Sequence, residues 1–118
     1  MQMMTLHAGG AIHQHLPEVV QTAPDHLEDR MHKVKMVGTD ALLSSGEVNS
    51  NHHQGVKDAG RLKVVAVAND GVIEALRDPV RPFYVGVQWH PERIEEHKPA
   101  FAPVMRRLFA AFIRQAQQ

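Results

Sequence analysis

A histidine and a glutamate flank a proline at the end of an almost wholly apolar run, Phe83-Tyr84-Val85-Gly86-Val87-Gln88-Trp89 followed by His90-Pro91-Glu92. Histidine exchanges protons near neutral pH, and a carboxylate beside it can hold the ring in one tautomer and stabilise its charged form. The pair therefore suits a general base with its orienting acid. Pro91 fixes its own φ and restricts the residue before it, so the tip is stiff. The bland alternative is that Trp89 and His90 close a core while Glu92 is a solvated loop acid, and the pair alone leaves both readings open.

A second polar group, Asn49-Ser50-x-His52-His53-Gln54, falls in a loop and could line a pocket, although Asn and Ser at such positions also bond their own backbone in turns. Two histidine pairs, His52-His53 and His13-x-His15, raise the question of a metal. Adjacent residues on a strand point to opposite faces, and no Cys or HExxH frame accompanies them, so no metal or other cofactor is expected. His7, His26 and His97 read as surface residues. The chain contains no cysteine, which removes both disulfides and a thiol nucleophile. Its serines, Ser44, Ser45 and Ser50, lie on no strand–turn–helix elbow of the kind that exposes a nucleophile.

The elements that must carry these groups can be read from periodicity. Met1 to Leu6 is an apolar, Met-rich stretch resembling a helix interior, ended by Gly9-Gly10, with Gln14 a candidate anchor for that turn. Residues 16–31 are polar, Pro-containing and irregular, a surface loop with a helical turn at most. His32 to Val37 alternates with period two and predicts a half-buried strand. Thr39 to Leu43 predicts a short helix capped by Thr39 or Asp40. Leu62–Ala68 and Val72–Leu76 flank Asn69-Asp70-Gly71, a strong hairpin signal because Gly accepts the positive φ of the turn. Residues 83–89, apolar on both faces, predict a central strand of a covered sheet. From Pro99 to Ala116 the spacing predicts a helix whose stripe, Phe101, Val104, Met105, Leu108, Phe109 and Phe112, packs on a core.

At 118 residues, with 13 basic and 13 acidic side chains, this is one small domain with no electrostatic case for a nucleic-acid or membrane partner. No apolar run is long enough to span a bilayer, no signal-peptide pattern opens the chain, and cytoplasmic location is the expectation for a cysteine-free sequence.

Four motifs in order, Gly9-Gly10-x-x-x-Gln14, Val48-Asn49-Ser50-x-His52-x-Gln54, Asp70-Gly71-x-Ile73-Glu74-Ala75 and Gly86-Val87-Gln88-Trp89-His90-Pro91-Glu92, carry a resemblance that runs through most of the chain. It resembles the C-terminal half of a class I glutamine amidotransferase-like protein of the γ-glutamyl-γ-aminobutyrate hydrolase (γ-glutamyl peptidase) family. The resemblance implies an α/β fold: the C-terminal part of a flavodoxin-like three-layer sheet, with a β-hairpin and a C-terminal amphipathic helix. It implies a Cys-His-Glu hydrolase that cleaves a γ-glutamyl amide, with His90 as base and Glu92 as orienting acid. Asn49, Ser50, His52 and Gln54 match the segment that shapes the substrate pocket. The sequence departs from the pattern at the nucleophile: Met1 to Gly10 matches the helix that follows the family's Cys-Arg-Gly elbow, so residues 1–118 read as a partial domain. Activity of the chain alone is then not expected. Its expected partners are a small-molecule γ-glutamyl amide and a separate N-terminal half or a second copy. The alternative is a truncated non-catalytic relative that serves as a binding module.

Overall fold

The computed structural model describes residues 1–40, 42–93 and 102–118. A short helix α1 (Gln2–His7) leads into strand β1 (Ala11–His13), and two 3₁₀ turns (Leu16–Glu18 and Ala23–His26) lead to β2 (Arg30–Met36). β3 (Gly46–Ser50), β4 (Gly55–Asp58), β5 (Lys63–Ala68), β6 (Ile73–Arg77) and β7 (Val85–Val87) follow, then a 3₁₀ turn (Pro91–Arg93) and α2 (Ala102–Ala116). The strands form one sheet in the order β1-β4-β6-β5-β2-β3, with β7 also on β6, and every pairing is antiparallel. β5 runs along one edge of β6. The other edge is shared, β4 meeting it at Ile73 and β7 at Ala75 to Arg77.

The hairpin forms as its turn chemistry dictates. Gly71 takes φ +85° and donates its N–H to the Ala68 carbonyl at 3.0 Å, while Asp70 Oδ1 accepts from the Val72 N–H at 3.1 Å. Successive strand residues face opposite sides of a sheet, and β6 uses both. Ala75 joins a core with Val34, Val48, Val65, Trp89 and, from α2, Met105 and Leu108. Leu76 joins Ala8, Val56 and Leu62, with Met1 and Met4 of the α1 end packed against them. The sheet is thus covered on both faces, in α/β layers with a C-terminal helix. Gly86 permits the close approach of α1 to β7, because a Cβ there would meet Met4 Sδ at 2.7 Å.

Several expectations are corrected. No helix forms in the described part of 39–43; Asp40 instead takes the Leu42 and Leu43 N–H groups on Oδ1 at 2.8 and 3.2 Å, a cap without its helix, and Ala41 lies outside the described residues. The 83–89 run is a strand only over Val85–Val87, half-buried, with β6 its one neighbour among the described residues, so it is not a central strand here. The loop at 16–31 contains two 3₁₀ turns that bury Leu16, Ala23 and His26, so His26, expected on the surface, is 1% exposed. His97 and Phe101 lie outside the described residues. On α2, Met105 and Leu108 enter the core as the stripe predicts, but Phe109 and Phe112 are 42% and 59% exposed.

Candidate functional site

Trp89 is 4% exposed and anchors the end of the β7 run in the core, so the next residue must emerge at the sheet's rim. His90 does so, with its side chain one-third exposed. The 3₁₀ turn over Pro91–Arg93, closed by the Arg93 N–H on the His90 carbonyl at 3.0 Å, swings Glu92 back beside the ring. His90 Nδ1 lies 2.8 Å from Glu92 Oε1. Partial burial pushes the Glu92 carboxyl up, but its own backbone N–H and His90 outweigh this and hold it below the ordinary glutamate value. Next to an ionised Glu92, Nδ1 carries the ring proton and donates it, so Nε2 keeps its lone pair. Arg93 closes the tip by donating from Nη1 to both Asp29 oxygens at 2.7 and 2.9 Å.

Behind this tip stand the residues of the second sequence group. Asn49, on β3 and fully buried, accepts the His90 backbone N–H on Oδ1 at 3.2 Å. Ser50, also fully buried, donates its hydroxyl to the His26 carbonyl at 3.1 Å, and so has no free hydroxyl to attack a substrate. His52 donates its backbone N–H to the same carbonyl at 2.7 Å and places Nδ1 2.6 Å from the Gln54 carbonyl. Gln54 donates from Nε2 to Gln14 Oε1 at 3.1 Å, which ties the 51–54 loop to the turn after β1. The histidine pairs noted in the sequence do not act as pairs. His52 is buried, while His53 is exposed with its ring edge-on to His15, centroids 6.2 Å apart.

The strongest convergence was not visible in the sequence. Glu74 on β6 is 0% exposed, and its Oε1 lies 3.3 Å from His26 Nδ1, 3.5 Å from His52 Nε2 and 3.6 Å from His32 Nε2. Neither Glu74 oxygen has a hydrogen-bond partner of good geometry, and the three facing nitrogens are likewise unpaired. His26 Nε2 meets Asp70 Oδ2 at 2.7 Å, and Thr22 donates to the same oxygen at 2.7 Å. Burial pushes the Glu74 carboxyl up, yet the surrounding histidines pull it below the ordinary value. Burial pushes His26 down, and Glu74 and Asp70 outweigh it to raise the imidazole above its usual range.

Comparison with known proteins follows the same landmarks. The model of the peptidase C26 family matches residues 1–92, which include the β7 tip through Glu92. The chain belongs to the peptidase C26 family. A Mycobacterium tuberculosis protein named as a glutamine amidotransferase is 34% identical over 105 residues, covering 78% of this chain and 32% of that protein. The gamma-glutamyl-gamma-aminobutyrate hydrolase of Escherichia coli is 36% identical over 111 residues, covering 78% of this chain and 42% of its own. A solved glutamine amidotransferase from Thermotoga maritima superimposes with a TM-score of 0.57 at 17% identity, over 86% of this chain and 45% of that one. The peptidase C26 chain thus spans less than half the length of each of these relatives.

Within this C26 chain, the exposed His90–Glu92 pair can accept and return a proton at Nε2, whereas the buried network can hold loops or a cation. Asp70 and Glu74 carry the only sequence signal for that network, as parts of the Asp70-Gly71-x-Ile73-Glu74-Ala75 motif. Nothing in the spacing brings His26 or His32 to them.

Proposed function

We propose that this chain supplies the general base and orienting acid of a γ-glutamyl amide hydrolase, with the nucleophilic cysteine coming from protein outside these 118 residues. The observation that carries it is the 2.8 Å contact of His90 Nδ1 with Glu92 Oε1 at a stiff, half-exposed strand end, which leaves Nε2 as the base. In that reaction Nε2 takes the thiol proton as sulfur attacks the γ-carbonyl carbon. It then gives that proton to the departing amine nitrogen as the C–N bond breaks and a γ-glutamyl thioester remains. Water, losing a proton to the same Nε2, attacks the thioester and releases glutamate and the thiol. Glu92 stabilises each imidazolium without itself taking a proton. Asn49, Ser50 and His52, all buried, act as positioning residues, Asn49 by fixing the His90 backbone; Gln54, partly exposed, is the member of the group with access to substrate. The substrate class rests on the relatives and on the order of the motifs.

The test is hydrolysis of a γ-glutamyl anilide. The chain alone should give no turnover. Co-expressed with the N-terminal part of the E. coli relative that it does not cover, it should give turnover that iodoacetamide abolishes and that falls about 10³-fold or more in kcat with His90→Ala. Turnover by the chain alone, or complemented turnover indifferent to His90→Ala, contradicts the proposal.

A second reading, an interaction module, is favoured by one surface. Phe83, Val85, Val87, Leu108, Phe109 and Phe112 line an apolar cleft of about 260 Å³ beside β7, and the Phe83 and Phe112 rings lie 6.1 Å apart. A strand with one described neighbour and an apolar face invites a further strand or helix. The surface suits the same missing half or a second copy. Sedimentation of the chain as a monodisperse monomer at high concentration would count against both.

A further inference from the structure

We propose that Glu74, His26 and His52 form a binding site for a divalent transition-metal ion of the zinc class, with His32 offering a further nitrogen. One ligand atom from each of the first three lies within 4.8 Å of the other two, and all three residues are buried. An ion with bonds of about 2 Å to nitrogen and oxygen holds tetrahedral ligand atoms about 3.3 Å apart. Glu74 Oε1 stands 3.3, 3.5 and 3.6 Å from the three imidazole nitrogens, so little adjustment is needed around it.

The hydrogen bonds of the rings argue more strongly than the distances. Each imidazole turns one nitrogen outward to an acceptor. His26 Nε2 faces the Asp70 carboxylate at 2.7 Å, His52 Nδ1 the Gln54 carbonyl at 2.6 Å and His32 Nδ1 the Lys33 carbonyl at 3.3 Å. A neutral ring has one N–H to give, and here it goes outward. The inward nitrogens then present lone pairs to an anionic carboxylate, an arrangement that repels unless a cation sits between them. Metal-binding histidines characteristically donate their other N–H to a carboxylate or a backbone carbonyl, and all three do so. Imidazole and carboxylate together suit zinc and its neighbours rather than calcium or magnesium, which prefer oxygen. A pocket bordered by Thr22, Asp25, Lys33 and Asn69 reaches His26 and His32 and offers a way in.

The four side chains come from a 3₁₀ turn, β2, the loop after β3 and β6, so an ion would staple the 51–54 loop and the 23–26 turn to the centre of the sheet. The Gln88 N–H bonds the Glu74 carbonyl at 2.7 Å, two residues before His90. The staple therefore lies directly behind the catalytic tip without touching it.

The experiment is cobalt(II) titration of the metal-free chain, read by the visible absorption of a tetrahedral site, with thermal melts in zinc and in chelator. One cobalt per chain, displaced by zinc, and a melting temperature several degrees higher in zinc than in chelator are expected. Glu74→Gln should weaken cobalt binding at least about 100-fold, and Asp70→Asn, which only loosens the His26 ring, about 10- to 100-fold. Asp70→Asn also serves where Glu74→Gln does not fold. His13→Ala with His15→Ala should change nothing. The proposal is overturned if the chain takes up no stoichiometric cobalt, as when a proton fills the cage instead. It is equally overturned if uptake survives both Glu74→Gln and Asp70→Asn, or vanishes with the His13 and His15 substitutions.

Discussion

The molecule contains two histidine–carboxylate groupings, and they are built in opposite ways. At the β7 tip one imidazole meets one carboxylate, His90 one-third exposed and Glu92 57% exposed. Around Glu74 three imidazoles converge on one carboxylate at 0% exposure, with Asp70 behind them. In water-accessible surroundings the pair is worth little to stability, and its value is chemical: it selects a tautomer and leaves a nitrogen free. In the interior the same residue types dominate the local energetics, because an unmatched charge there is costly. Exposure, more than composition, separates a candidate base from a candidate staple.

The largest effect should come from the buried group. Glu74→Ala leaves three imidazoles facing an empty cavity and should cost about 3–5 kcal/mol in urea unfolding, the range found when one member of a buried charged set is removed. A loss below about 1 kcal/mol would erase the contrast between the two regions.

A smaller effect is expected at a buried ion pair that contains no histidine. Asp40 is 5% exposed, accepts from Arg77 Nε at 2.8 Å and Nη2 at 3.1 Å, and caps two backbone N–H groups. Burial pushes its carboxyl up, but these donors, with the Leu42 N–H foremost, hold it below the ordinary aspartate value. A carboxylate whose folded pKa is depressed contributes stability above its unfolded value near 3.9 and loses it as pH falls through the folded value. Asp40→Asn should therefore cost about 1–3 kcal/mol at pH 7 and make the acid limb below about pH 4 shallower, as read by urea unfolding across pH. An unchanged acid limb would show that Asp40 does not titrate with folding.

The smallest stability effect belongs to the exposed pair. Glu92→Gln should change unfolding free energy by no more than about 0.5 kcal/mol, while complemented γ-glutamyl anilide turnover falls strongly. A variant that lost stability and activity together would mark Glu92 as structural and sharpen the comparison in the other direction.

How much of this was legible in the sequence follows the range of each interaction. β2, the β5–β6 hairpin and α2 announce themselves because period-two alternation, Asp70-Gly71 and the 3.6-residue stripe are local signals. β1, β3 and β4 do not. Gly46 to Ser50 offers one large apolar residue, Val48, and becomes a strand because β2 presents a ladder to it from Arg30 to Val34. Thr39 to Leu43 failed as a helix because Asp40 spends its second oxygen on Arg77, 37 residues away. The Phe109 and Phe112 positions were misread as core because periodicity reports an apolar face without saying what covers it. The His90–Glu92 tip was readable since both partners lie within three residues and a proline stiffens the link. The Glu74 cage was not, because His26, His32, His52 and Glu74 come from four separate segments, and only the fold supplies their spacing.

The most direct test of the central claim is nitrogen-15 NMR of the imidazole rings in the ¹⁵N-labelled chain near neutral pH. The account predicts that His90 carries its proton on Nδ1, with Nε2 unprotonated, and that Glu92→Gln disturbs this tautomer. A His90 ring protonated on Nε2 in the wild-type chain would contradict the assignment of that nitrogen as the base.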